Sequence, residues 1–190
     1  NCCIINIPPI KSEIINDYAN ACLNITNLFT EKTNFIFTSS TGVYPDNNQV
    51  NKEQDLDLET FSKQNQIASA ELALQTALGK RLTTLRLAGL VGPNRHPAYY
   101  LQGRKNIENP DAPVNLVHLN DCIQSIEKII QNNIFGETVN VCASKHPSRK
   151  KYYTKACELF GLPTPEFSQN TGNFKIIDNT KSKTLLQVKY

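Results

Sequence analysis

With 190 residues and 39% hydrophobic content in patterned blocks, the chain has material for one domain with a real core, or one plus a small appendage; it does not read as disordered. Its 20 basic and 17 acidic residues leave a formal charge of +3, too weak a bias to point to nucleic acid or a membrane surface. No apolar stretch approaches the ~20 residues of a membrane span, and the six cysteines show neither a CxxC pair nor zinc-type Cys/His spacing.

Buried thiols in a reducing, cytoplasmic setting are therefore expected, rather than a disulfide framework. The sequence holds no methionine and opens directly in an apolar strand, "NCCIINIPPI", so a fragment of a longer chain is expected. Residues 2–7 read as a short buried strand closed by Pro8 and Pro9. A helix follows, with Ile14, Tyr18, Cys22, Ile25 and Phe29 at three- and four-residue steps and Ser12 as its cap. The next strand, Asn34–Thr38, runs straight into Ser39, Ser40 and Thr41. A polar loop leads to a helix over about 61–78, ended by Gly79 as a left-handed cap.

"RLTTLRLAGLVGP" gives another strand and a Gly-Pro turn. Strands and helices alternating at these lengths need right-handed crossovers in a parallel sheet. The predicted class is α/β, all or half of a doubly wound core. Past residue 93 the chain turns loop-rich. A helix carrying Cys122, Ile126 and Ile129 follows, then a strand at 137–144, a Ser148-capped helix stopped by Gly161 and Pro163, and a last strand candidate at 174–178.

Ligands of parallel sheets bind beyond the carboxyl ends of the strands. Three such ends, Asn6–Pro9, Thr38–Tyr44 and Arg86–Gly92, carry polar or small residues straight after apolar ones, which favours a crevice along one sheet edge. The hydroxyls could serve a nucleophile, a phosphate or a carbonyl, or cap a turn. A Ser/His hydrolase is disfavoured, because GxSxG is absent and the histidines are only 96, 118 and 146. His118 with Asp121 has a spacing that fits a base and its orienter equally with a helix start. GxxxxGK[ST] is missing, which excludes a P-loop within this chain.

"FTSSTGVY" resembles the strand-five signature of the extended short-chain dehydrogenase/reductases, the nucleotide-sugar epimerase and dehydratase branch. The likeness continues in order through "ASAELAL", "LRLAGLVGPNR", "VNLVHLNDCIQSI" and "TVNVCAS". "HPSRKKYYTKACELFGLPTPEF" is similar to the C-terminal helix of an atypical subgroup of epimerase-like proteins. The resemblance implies the C-terminal portion of a Rossmann-type doubly wound parallel sheet, with a small substrate-side subdomain. Residues 1–92 would be the second half of the NAD(P)-binding domain, and 93–190 the substrate-binding subdomain with closing core elements. The GxGxxG turn that grips the pyrophosphate would precede residue 1.

As implied contacts of NAD or NADP, the resemblance offers Pro8, Pro9, Ser39, Ser40 and the backbone of Ala88, Gly89, Leu90 and Val91. Arg95, His96 and Arg104 would face a small-molecule substrate, since arginine suits phosphate oxygens; no nucleic acid or membrane partner is implied, and a homodimer stays open. The family's Ser/Thr–Tyr–Lys chemistry uses the tyrosine as acid or base and a lysine to lower its pKa. Counted back from Glu71, those positions are Lys63 and Ile67, or Phe61 and Asn65 in a register shifted by two. Neither gives YxxxK. Ser39, Ser40 and Thr41 remain as hydroxyl donors, and Tyr44 and Lys63 as substitute acid/base groups.

Two readings follow, an atypical NAD(P)-dependent epimerase- or dehydratase-like oxidoreductase and a catalytically silent NAD(P)-binding regulatory or scaffold protein. The cluster Lys145, His146, Arg149, Lys150 and Lys151 sits at a helix start, where positive charge opposes the dipole. It would be relieved by an anion or screened by solvent.

Overall fold

A computed structural model describes residues 1–9, 14–93 and 95–190. Strand β1 (Cys2–Ile5) leads by way of helix α1 (Asn16–Thr26) to β2 (Asn34–Ser40), and the short strand β3 (Gln49–Asn51) follows in the loop. The one-turn helix α2 (Leu58–Phe61) and α3 (Gln66–Leu78) precede β4 (Leu82–Leu87) and β5 (Gly89–Val91). Then come α4 (Ala98–Leu101), β6 (Leu116–His118), α5 (Leu119–Gln131), β7 (Thr138–Val141), α6 (Arg149–Leu159) and β8 (Lys175–Ile177).

The main sheet has the order β1-β2-β4-β7 with every pair parallel, and β3-β8 and β5-β6 form two small parallel pairs. Period-two alternation divides β2 between two cores. Phe35 and Phe37 pack with Tyr18, Cys22, Ala70 and Leu74 of α1 and α3 on one face. Ile36 joins Leu85, Val139 and Ile129 of α5 on the other. Helices on both faces of a parallel sheet make the α/β doubly wound arrangement expected above.

Local signals fit the elements. Asn65 caps α3 by accepting from Ile67 N (2.9 Å) and Ala68 N (3.1 Å), and Ser148 accepts from Lys151 N at the start of α6. Gly79 ends α3 at φ +53°, but its ψ of −125° lies outside the left-handed helical region expected for it. The Ser12 cap lies outside the described residues. All six cysteines are free. Cys22, Cys122, Cys142 and Cys157 are buried as expected, whereas Cys2 is exposed. Among the described residues no helix is long and apolar enough to cross a membrane.

Candidate functional site

The carboxyl ends of β1, β2 and β4 open into one crevice of about 490 Å³. Asn6–Pro9, Thr38–Ser40 and Leu87, Ala88 and Leu90 supply its walls, with Tyr18 from α1, Ile67 from α3, and Arg95. Most of its hydroxyl protons are already engaged. Tyr18 donates to the Ile7 carbonyl at 2.8 Å, fixing the turn before Pro8, and burial pushes its pKa above the ordinary phenol range. Thr38 Oγ1 donates to Asn6 Oδ1 at 2.8 Å. Ser40 is different, for its Oγ accepts from Gly42 N at 3.0 Å and, among the described residues, no acceptor takes its proton. It is the hydroxyl donor that the crevice presents.

Beneath Ser39 lies a buried polar network. Ser39 donates to Glu71 Oε1. The Arg86 guanidinium grips the same carboxylate through Nε (3.1 and 3.0 Å) and Nη2 (2.7 Å), both side chains being 2% exposed. Arg86 Nη1 donates to Tyr44 Oη at 2.7 Å and to the Glu53 carbonyl at 3.1 Å, and Tyr44 passes its own proton to Asn140 Oδ1 at 2.8 Å. Burial works against the Arg86 charge, but Glu71 and Tyr44 together outweigh it and hold the guanidinium above its usual value. Burial likewise pushes Tyr44 up to about 12, against the lowering pull of Arg86.

The expected site residues therefore divide. Pro8, Pro9, Ser39, Ser40, Ala88, Leu90 and Arg95 meet in the crevice. Tyr44 does not. It is 2% exposed, its hydroxyl is closed into the Arg86–Asn140 network, and burial moves its pKa further from neutrality. Lys63 is exposed in the turn between α2 and α3, outside the crevice. Its four-residue spacing to Ile67 carries no facing relation, because the helix begins only at Gln66. Thr41 is buried at the start of a 3₁₀ turn, away from the crevice lining.

Of the backbone expected to make contact at Ala88–Val91, part is already engaged. Ala88 N and Gly89 N already donate to the carbonyls of Val141 and Asn115, both at 3.0 Å, and Val91 lines a neighbouring cavity. Arg95, His96 and Arg104 do not converge. Arg104 is exposed, and His96 lines a separate cavity against α6. His118 caps α5 through Nδ1, accepting from Asn120 N, so the helix-start alternative holds for it. Asn6, Tyr18, Thr38 and Leu87 line the crevice without having been singled out, and Ile67, marked only as the register of the family's lysine, joins them. Asn6, Thr38 and Leu87 lay within strand ends already marked, whereas Tyr18 read only as a core position on a periodic helix face. Among the described residues no cluster of His, Cys, Asp and Glu could hold a metal ion.

No family model matches the chain. It is 38% identical over 148 residues to Protein YeeZ of Escherichia coli K12, over 77% of this chain and 54% of that protein. The chain thus spans about half the length of the curated relatives it matches. Among solved structures, a conserved protein of unknown function from Silicibacter pomeroyi superimposes with a TM-score of 0.74 at 21% identity, covering 100% of this chain and 72% of the other. The UDP-glucuronic acid 4-epimerase of Bacillus cereus, in complex with UDP-glucuronic acid and NAD, gives 0.71 at 17% identity, with 92% and 62% covered. The fold is the Rossmann type that these structures share. The UDP-N-acetylglucosamine 4-epimerase of Bacillus cereus (TM-score 0.67, 14% identity, 99% of this chain and 72% of that one) has it too.

Proposed function

We propose that the chain belongs to an NAD(P)-binding protein of the epimerase/dehydratase type and that its crevice receives the nicotinamide end of the dinucleotide. The observation that carries this reading is the meeting of three strand ends in one crevice, the position at which parallel sheets bind ligands. The donor set suits such a guest. Ile7, Pro8, Pro9, Ile67, Leu87 and Leu90 offer apolar walls to a flat ring, and the unengaged Ser40 proton and the Arg95 guanidinium offer donors to its polar substituents. A bound nicotinamide would supply hydride chemistry. Ser40 would orient the ring or a substrate oxygen, while Ser39, held by Glu71, would fix the turn. Solved structures of similar fold hold NAD together with UDP-sugars, which supports a nucleotide-sugar-like small molecule as the substrate; residues 93–190 would form its side of the site.

One observation favours the second reading, a dinucleotide binder without turnover. Ile67 stands in the crevice at the register of the family's lysine, and the crevice tyrosine, Tyr18, gives its proton to a backbone carbonyl. Among the described lining residues there is no histidine, lysine or carboxylate to move a proton near neutrality.

Calorimetric titration of the full-length protein with NAD⁺, NADH, NADP⁺ and NADPH tests the site. Micromolar binding of one pair is expected; no binding by the folded protein overturns the cofactor assignment. Incubation of the bound form with UDP-glucose and UDP-glucuronic acid then separates the readings, since product identifies an enzyme and its absence a silent binder.

A further inference from the structure

A second cavity, of about 390 Å³, lies between His96 and α6 and shares no lining residue with the crevice. Its walls are aromatic and apolar, from Tyr152, Phe160, Leu159, Ala156 and Pro147. The rings form a continuous stack. His96 lies parallel to Tyr152 with centroids 5.7 Å apart and edge-on to Phe160 at 5.0 Å, while Tyr99 stacks on Phe160 at 5.5 Å. Large apolar surface is left open beside it, with Leu159 74% and Phe160 46% exposed.

Hydrogen-bond directions around His96 leave a donor unengaged. Nδ1 accepts from Ala98 N at 3.1 Å, so the neutral ring carries its proton on Nε2 and donates it to Tyr152 Oη at 2.9 Å. Tyr152 then has a proton of its own to give, and among the described residues nothing accepts it. Lys151 and Lys155 border the same cavity, one helical turn apart on α6. Neither forms an ion pair among the described residues. Like charges at this spacing repel, and Lys151 sits in the first turn, where the helix dipole opposes it. An anion at the cavity mouth would relieve both penalties.

We infer that this cavity binds a small molecule made of a flat aromatic ring and an anionic group, the ring against Phe160 and Tyr152 and the anion between Lys151, Lys155 and the Tyr152 hydroxyl. The site is independent of the dinucleotide reading. An aromatic carboxylate and a nucleoside monophosphate share this chemistry. Full-length protein is therefore titrated with 2-naphthoate and with uridine 5′-monophosphate, alongside the uncharged 2-naphthamide and uridine, while the His96 ring resonances are followed. The expected result is saturable shifts of those resonances by at least one charged probe, with its neutral counterpart about tenfold weaker. The double variant K151A/K155A weakens the charged probe about tenfold and leaves dinucleotide affinity unchanged. Which probe binds tells the two sources apart.

No saturable shift with either probe overturns the proposal. So does binding that survives the double variant, or that NADH displaces, since the ligand would then lie in the crevice. Dinucleotide titration of the same sample reports separately on the other site, so failure of one reading is not mistaken for failure of the other.

Discussion

Tyr44 accepts from Arg86 and donates to Asn140, so its hydroxyl bridges two buried groups. Tyr44→Phe leaves Asn140 Oδ1 without that donor, while Arg86 Nη1 keeps the Glu53 carbonyl. The expected cost is about 1–3 kcal/mol, read by urea denaturation, with dinucleotide affinity unchanged. A catalytic or cofactor-contacting Tyr44 would instead lower binding or turnover. The hydroxyl also sets an alkaline limit. Burial holds Tyr44 and Tyr190 at about 12 in the folded protein, against ~10 in the unfolded chain. Below pH ~10 both states keep these protons, and above it the unfolded chain ionises first. Stability is thus fully present below pH ~10 and is lost as the pH rises through 12, less steeply in Tyr44→Phe. The sequence could not reveal this role, because it arises where Glu71, Arg86 and Asn140 meet from three separate elements. Ser40 and Ala88 were legible, because strand ends follow from local pattern alone.

At the scale of elements, the long helices and the central strands were readable from periodicity, since each spans enough residues to show its repeat. The three-residue strands β3, β5 and β6 were not. Three residues show little pattern of their own, and such strands exist through partners distant in sequence; β8, equally short, was marked only as a candidate at 174–178. Gly89 shows how closely β5 and β6 approach. A Cβ there would lie 2.9 Å from Leu116 Cδ2 and 3.1 Å from the Asn115 carbonyl oxygen, and the second of these is backbone that cannot swing aside. Gly89 N also donates to that carbonyl. Gly89→Ala should therefore part the pair and destabilise the protein by about 1–3 kcal/mol, checked by thermal and urea unfolding. A neutral outcome would mean that β5 and β6 can separate to admit a methyl group. The residue's glycine character thus answers to strand packing, with no need of a ligand's close approach. The helix start at Gln66 has a similar lesson for Lys63, whose four-residue spacing to Ile67 becomes meaningless once the chain turns between them.

For the whole molecule, the dinucleotide reading makes folding and binding one equilibrium. A ligand that binds only the native state adds RT ln(1 + [L]/Kd), about 2.7 kcal/mol at a hundredfold excess over Kd. The crevice draws on the ends of β1, β2 and β4, on β5 and on two helices, and its residues reach both cores, so occupancy should raise the unfolding temperature of the whole protein rather than of one segment. Ser40→Ala probes the link without disturbing the cores. The variant loses the hydroxyl that accepts from Gly42 N and whose own proton is unengaged. Unliganded stability should fall by no more than about 1 kcal/mol, because Gly42 N is near solvent and can find water. Dinucleotide affinity should drop by roughly three- to tenfold, and the ligand-induced rise in melting temperature should shrink in step. A variant that melts like the parent both with and without saturating dinucleotide would show that Ser40 contacts nothing in the complex. The ligand would then have to lean on the apolar walls and Arg95 alone, and the hydroxyl run after β2 would be a turn device, with Ser39 serving Glu71 and Ser40 serving Gly42.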